Sequence, residues 1–148
     1  MTAPVLSPVI RLASAADHPA CALIFRDART AAFHWDERAY ALDEFADATA
    51  GETLWVAEGA AGEILAFASV WREPGLWFLH NLFVAPERQN RGIGRALLTA
   101  LLGRVGRPVE LKADIANAIA RRFYTSFGFR VVEQGAARPL PWIKMRLD

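Results

Sequence analysis

The 148 residues contain only one cysteine, Cys21. No internal disulfide can brace the fold, and a reducing compartment is expected. Cys21 stands in an apolar run, where a thiol most often behaves as a small buried hydrophobe. Charge of one sign is also lacking: 17 Lys and Arg face 16 Asp and Glu, a formal net charge of +1. That near-cancellation gives no electrostatic case for a nucleic-acid or anionic-membrane partner. No uncharged apolar run approaches the roughly 18 residues of a membrane helix. The opening MTAPVLSPVI is apolar but broken by Pro4 and Pro8, with no basic segment leading into a continuous apolar one, so it does not read as a secretory signal. A cytoplasmic protein without a membrane anchor is expected. Repeats, heptads and long linkers are missing too, which leaves one domain over residues 1–148.

What is present suffices for a core. Hydrophobic residues make up 53% of the chain and charged ones 22%, a balance that argues against disorder. Val9 to Leu12 reads as a first strand. Asp17 and Pro19 open a helix carrying Leu23, Ile24 and Arg26. Asp36 can cap a second helix, DERAYALDEFADAT, with Tyr40, Leu42 and Phe45 as its apolar stripe. From Gly51 the pattern changes: Thr53 to Glu58 and Ile64 to Trp71 form a hairpin around GAAG, and LWFLHNLFV is the most hydrophobic strand and the candidate for the sheet's centre.

Helical spacing then returns in RGIGRALLTALLGRV, whose buried face is Ile93, Leu97, Leu98, Leu101 and Leu102. Pro108 ends it, and Val109, Leu111 and Ala113 alternate as a strand. A helix over residues 116 to 126 follows, with Ile119, Phe123 and Phe127 as its buried face, Tyr124 beside them at the rim, and Gly128 at its end. Phe129 to Glu133 and Pro141 to Leu147 complete the strands, the latter alternating Ile143, Met145 and Leu147 with Trp142, Lys144 and Arg146. This order predicts an α+β (mixed α/β) domain around a mostly antiparallel sheet flanked by helices.

The chemistry concentrates in LHNLFVAPERQNRGIGRALLTALL. A central strand ends at Val84, Pro86 leads out, and Gly92 and Gly94 precede a helix directly. Glycines let a ligand approach the backbone, first-turn amides lack intrahelical acceptors, and Arg91 and Arg95 can reinforce the site. The helix dipole adds about 0.3–1 kcal/mol for an anion. The loop is no P-loop, because GK[ST] is missing, and no dinucleotide fingerprint, because only Gly92-x-Gly94 is present.

These residues resemble the GCN5-related N-acetyltransferase (GNAT) superfamily. Gln89, Gly92 and Gly94 match its [Q/R]-x-x-G-x-[G/A] loop, and NAIARRFYTSFGF is similar to a second typical segment through Asn117, Tyr124, Gly128 and Phe129. The resemblance implies acetyl-CoA as cosubstrate, with no metal. It implies that the backbone of Gln89, Asn90, Arg91, Gly92, Ile93, Gly94 and Arg95 cradles the pyrophosphate. Leu82, Phe83 and Val84 would meet the pantetheine arm where a β-bulge splays this strand from the one holding Leu111. Asn117 would contact the pantetheine side, and Tyr124 would protonate the departing thiolate. Each role suits amine attack on a thioester, which needs orientation, a polarised carbonyl and a proton for the sulfur.

No glutamate stands out as general base. His80 has the intrinsic pKa for the task, and Asn81 beside it is a candidate substrate contact. An amine that arrives neutral, or loses its proton through water, needs no base. In relatives the acceptor pocket is built by the first two helices and the loop before the last strand. Here that implies Arg29, Phe33, His34, Trp35 and Trp142, suited to an acceptor with a carboxylate or an apolar body. The expected activity is acetyl transfer from acetyl-CoA to a primary amine of a small molecule or peptide in a ternary complex. The alternative is a non-catalytic acyl-CoA sensor or protein-interaction module. A homodimer through the C-terminal strands is the expected assembly.

Overall fold

The computed structural model describes residues 7–33, 35–36, 38–136 and 140–148. Its strands are β1 (Val9–Leu12), β2 (Thr53–Glu58), β3 (Ile64–Glu73), β4 (Leu76–Val84), β5 (Val109–Asp114), β6 (Arg130–Gly135) and β7 (Trp142–Leu147). Its helices are α1 (His18–Ala32), α2 (Glu44–Ala48), α3 (Ile93–Arg104) and α4 (Ala118–Ser126). The strands form one sheet in the order β1-β2-β3-β4-β5-β7-β6, which puts β4 fourth of seven as its hydrophobicity implied. β4 pairs with β5 in parallel over Trp77–Leu79 against Val109–Leu111. The pairings β1 with β2, β2 with β3, β5 with β7 and β6 with β7 are antiparallel.

The backbone forms two compact units, each containing part of β3 and part of β4. One holds the described residues up to Val70 together with Asn81–Arg104; the other holds Trp71–His80 with Val105–Asp148. In the first, Cys21, Ile24, Phe25 and Ala28 of α1 pack with Phe45, Val56, Phe67 and Ala85. The rings of Phe25, Phe45 and Phe67 meet edge to face at centroid distances of 5.4–6.1 Å. On α3, Ile93, Leu97, Leu98 and Leu101 are buried, each contributing about 1.5–3 kcal/mol by leaving water. Leu102 is only partly covered.

The second unit is built on alternation. Val109 and Leu111 of β5 and Ile143, Met145 and Leu147 of β7 are buried, while Glu110, Lys112, Lys144 and Arg146 occupy the alternate positions.

Two expectations fail. Residues 38–42 are not helical; helix is confined to Glu44–Ala48. Tyr40 instead lies against the Arg29 guanidinium at 4.1 Å and its hydroxyl donates to Asp36 at 3.0 Å. Tyr40 thus packs on a cation rather than in an apolar helical stripe. On α4, Ile119 is 76% exposed and Tyr124 only 9%. Tyr124 is therefore the buried anchor, packed edge-on to Phe123 and Phe129 at 5.2 and 5.6 Å, and the predicted face was out of phase with the real one.

Candidate active site

The loop after β4 lies in the first unit. Pro86–Arg88 makes a single 3-10 turn, and Gln89 returns to extended backbone with φ −71° and ψ 161°. Its Nε2 donates to the Val84 carbonyl at 3.3 Å. Asn90 takes φ +63°, which asparagine tolerates, and Gly92 takes φ +79°. A Cβ at Gly92 would have no atom within 4 Å, so the space beside this backbone is open. The helical ladder starts with the Ala96 N–H to the Gly92 carbonyl at 3.0 Å. The amides of α3's first turn consequently have no acceptor inside the helix, and they sit at the positive end of its dipole. Leu82, Phe83 and Val84 are half-buried at the end of β4.

Phe33 is brought to that strand: its ring lies 6.0 Å from Phe83, 5.2 Å from Trp35 and 6.3 Å from Tyr40. Arg29 is engaged elsewhere. It is 7% exposed, stacks over Phe25 at 3.6 Å, and donates to the Phe25 carbonyl at 3.0 Å and the Glu44 carboxylate at 2.7 Å. Its charge holds α1 to α2. Asn81 is also buried, with Nδ2 donating to the Ser69 hydroxyl at 2.8 Å. His34 lies outside the described residues.

The second unit holds Asn117, Tyr124, His80 and Trp142. Asn117 caps α4: its Oδ1 accepts from the Ala120 N–H at 3.1 Å, which leaves its amide hydrogens pointing away from the helix ladder. Burial pushes the Tyr124 phenol above its ordinary pKa, so it stays protonated well past neutral pH. His80 is exposed and meets the Trp71 indole edge-on at 5.1 Å. Trp71 stacks on Phe78 at 4.4 Å and donates from Nε1 to Glu73 at 2.8 Å.

A cavity of about 450 Å³ opens there, lined by Trp71, Glu73, Phe78, His80, Glu110, Lys112 and Lys144. Sequence reading found His80 but missed Trp71 and both lysines. The only signal for the lysines was alternation on β5 and β7, which marks a face without saying what it faces. Among the described residues, no group of three His, Cys, Asp or Glu side chains could hold a metal ion. No helix among them is long and apolar enough to cross a membrane.

Comparison with known proteins bears on this geometry. The family model for the acetyltransferase (GNAT) domain matches residues 50–131, more than half of the chain. Mycothiol acetyltransferase of Kineococcus radiotolerans is 42% identical over 80 residues, which is 51% of this chain and 26% of that protein. The chain thus spans about a quarter of that relative's length. The structure of YncA, a putative acetyltransferase from Salmonella typhimurium with its cofactor acetyl-CoA, superposes with a TM-score of 0.70 at 27% identity, covering 94% of this chain and 92% of that one. A ribosomal-protein-alanine N-acetyltransferase from Brucella melitensis gives 0.71 at 25% identity, covering 94% and 98%.

Proposed function

Because this chain belongs to the GNAT acetyltransferase family, we propose that it transfers an acetyl group from acetyl-CoA to a primary amine by direct attack in a ternary complex. The observation that carries this is the open backbone at Gly92, φ +79°, running into the first turn of α3. Amides without acceptors, next to glycines and arginines, suit the pyrophosphate of CoA. Leu82 to Val84 offer backbone to the pantetheine arm, and Asn117 offers its amide.

The amine's nitrogen attacks the thioester carbonyl carbon. The tetrahedral intermediate collapses by breaking the carbon–sulfur bond, and the thiolate receives a proton. Tyr124 donates a hydrogen bond to that sulfur. Its raised pKa makes it a weaker acid than a thiol near pKa ~8.5. Its contribution is therefore stabilisation of the developing charge. The neutral amine attacks, its nitrogen becomes cationic and releases one proton, and His80 takes that proton, directly or through water, and passes it on to the thiolate.

The acceptor is a small molecule or a peptide. The reading includes action in the cytoplasm, supported by the single, fully buried thiol of Cys21. It also includes a homodimer through β6 and β7, supported by the exposure of Val131 and Val132. A monomeric mass by light scattering at tens of micromolar would remove the dimer.

Acetyl-CoA should raise the melting temperature where ATP and NAD do not. Free CoA should then appear on addition of an amine panel. Stabilisation without CoA release from any amine would favour the sensor reading.

A further inference from the structure

The cavity in the second unit shows a charge arrangement that stability alone does not explain. Lys112 and Lys144 are direct cross-strand partners on β5 and β7, and like charges placed so oppose each other. Lys144 is compensated, at 3.1 Å from Glu133 and 3.9 Å from Glu110. Among the described residues Lys112 has no carboxylate within 4.0 Å; its ammonium lies 4.3 Å from the Trp142 ring centroid. That ring is itself placed. Gly135 is the register partner of Trp142, and a Cβ there would overlap the indole. Glycine at 135 thus lets Trp142 lie across β6 and hold the Lys112 ammonium. Trp71, fixed by Glu73, and His80 line the same cavity.

We propose that this cavity is the acceptor site and selects an amine that also carries a carboxylate, such as an amino acid or short peptide, with Lys112 taking the carboxylate. The proposal rests on the acetyltransferase reading. The two ends of such a ligand match the two kinds of side chain that line the cavity. The carboxylate meets a cation that has no ion pair among the described residues, and a charge-assisted hydrogen bond there is the strong kind. The amine lies toward His80, Glu73 and the aromatic wall, where a cation is attracted to the ring faces and His80 can receive its proton on attack. A volume of about 450 Å³ falls in the range of small-ligand pockets. Lys112 and Trp142 bind rather than react. Gly135 is a positioning residue acting through Trp142.

The test uses matched acceptors, each an amino acid or dipeptide and its C-terminal amide, with acetyl-CoA and CoA release as the signal. The carboxylate form should be preferred in kcat/KM by about tenfold or more. That ratio should fall toward one in Lys112→Met, and fall in Gly135→Val with circular dichroism unchanged. Amides used as well as carboxylates, or a ratio untouched by Lys112→Met, overturns the proposal while acetyl transfer stands. If no amine is acetylated, transfer itself fails, and ligand-observed NMR with the same pairs still reads the cavity. Carboxylate-dependent binding weakened by Lys112→Met supports the site, and equal binding of both forms overturns it.

Discussion

The Asn81 side-chain amide donates to the Ser69 hydroxyl at 2.8 Å, and both residues are buried, at 8% and 0% exposure. β3 and β4 are pinned by this bond where β4 runs toward the proposed cofactor loop. Ser69→Ala would leave a buried amide hydrogen without its partner. The expected loss is about 1–3 kcal/mol by urea unfolding, with acetyl-CoA affinity retained in the folded protein. An unchanged midpoint would show that Asn81 readily finds another acceptor, and would return it to the list of substrate contacts.

Gly92 and Gly94 separate strain from ligand clash. At φ +79° a side chain at Gly92 is strained whether or not a ligand is present. Gly92→Val should therefore cost about 1–2 kcal/mol of stability. Gly94 lies inside α3, where valine is tolerated at a few tenths of a kcal/mol. Gly94→Val should keep the fold and lose most acetyl-CoA affinity in calorimetry, if the loop holds the pyrophosphate as proposed. Unchanged affinity there would remove the loop from the cofactor site.

Tyr124 makes a prediction about alkaline stability. In the unfolded chain a tyrosine titrates near pH ~10, and burial holds the folded phenol higher. Above that pH the unfolded chain has released a proton that the folded chain keeps. The stability linked to Tyr124 is thus complete below about pH 10 and lost as pH rises toward the folded value. Urea unfolding between about pH 8 and about pH 11 should show a shallower alkaline decline for Tyr124→Phe than for wild type. Parallel declines would mean the phenol titrates freely.

What the sequence disclosed follows the range of the interactions involved. β4 was readable to the residue because LWFLHNLFV is hydrophobic throughout and bounded by Gly75 and Pro86. The cofactor loop was readable because its glycines, turn and helix start are local. The segment around Tyr40 was not, since its shape depends on Arg29, eleven residues earlier, drawing the ring away from a helical stripe. α4 carries Phe123, Tyr124 and Phe127 in five residues, so spacing alone could not choose which aromatic points inward. The Lys112 and Lys144 pair arises from cross-strand register, and Trp142 reaches Lys112 only because Gly135 lies on the neighbouring strand.

The most direct measurement follows CoA release and acetylated amine together, for wild type and Tyr124→Phe, under conditions where chemistry limits turnover. The two products should appear in equal amounts from the wild-type chain. With Tyr124→Phe the rate should be lower by about tenfold to a thousandfold at unchanged acetyl-CoA affinity. CoA appearing without acetylated amine would contradict transfer, and a Tyr124→Phe chain turning over at the wild-type rate would contradict the role given to the phenol.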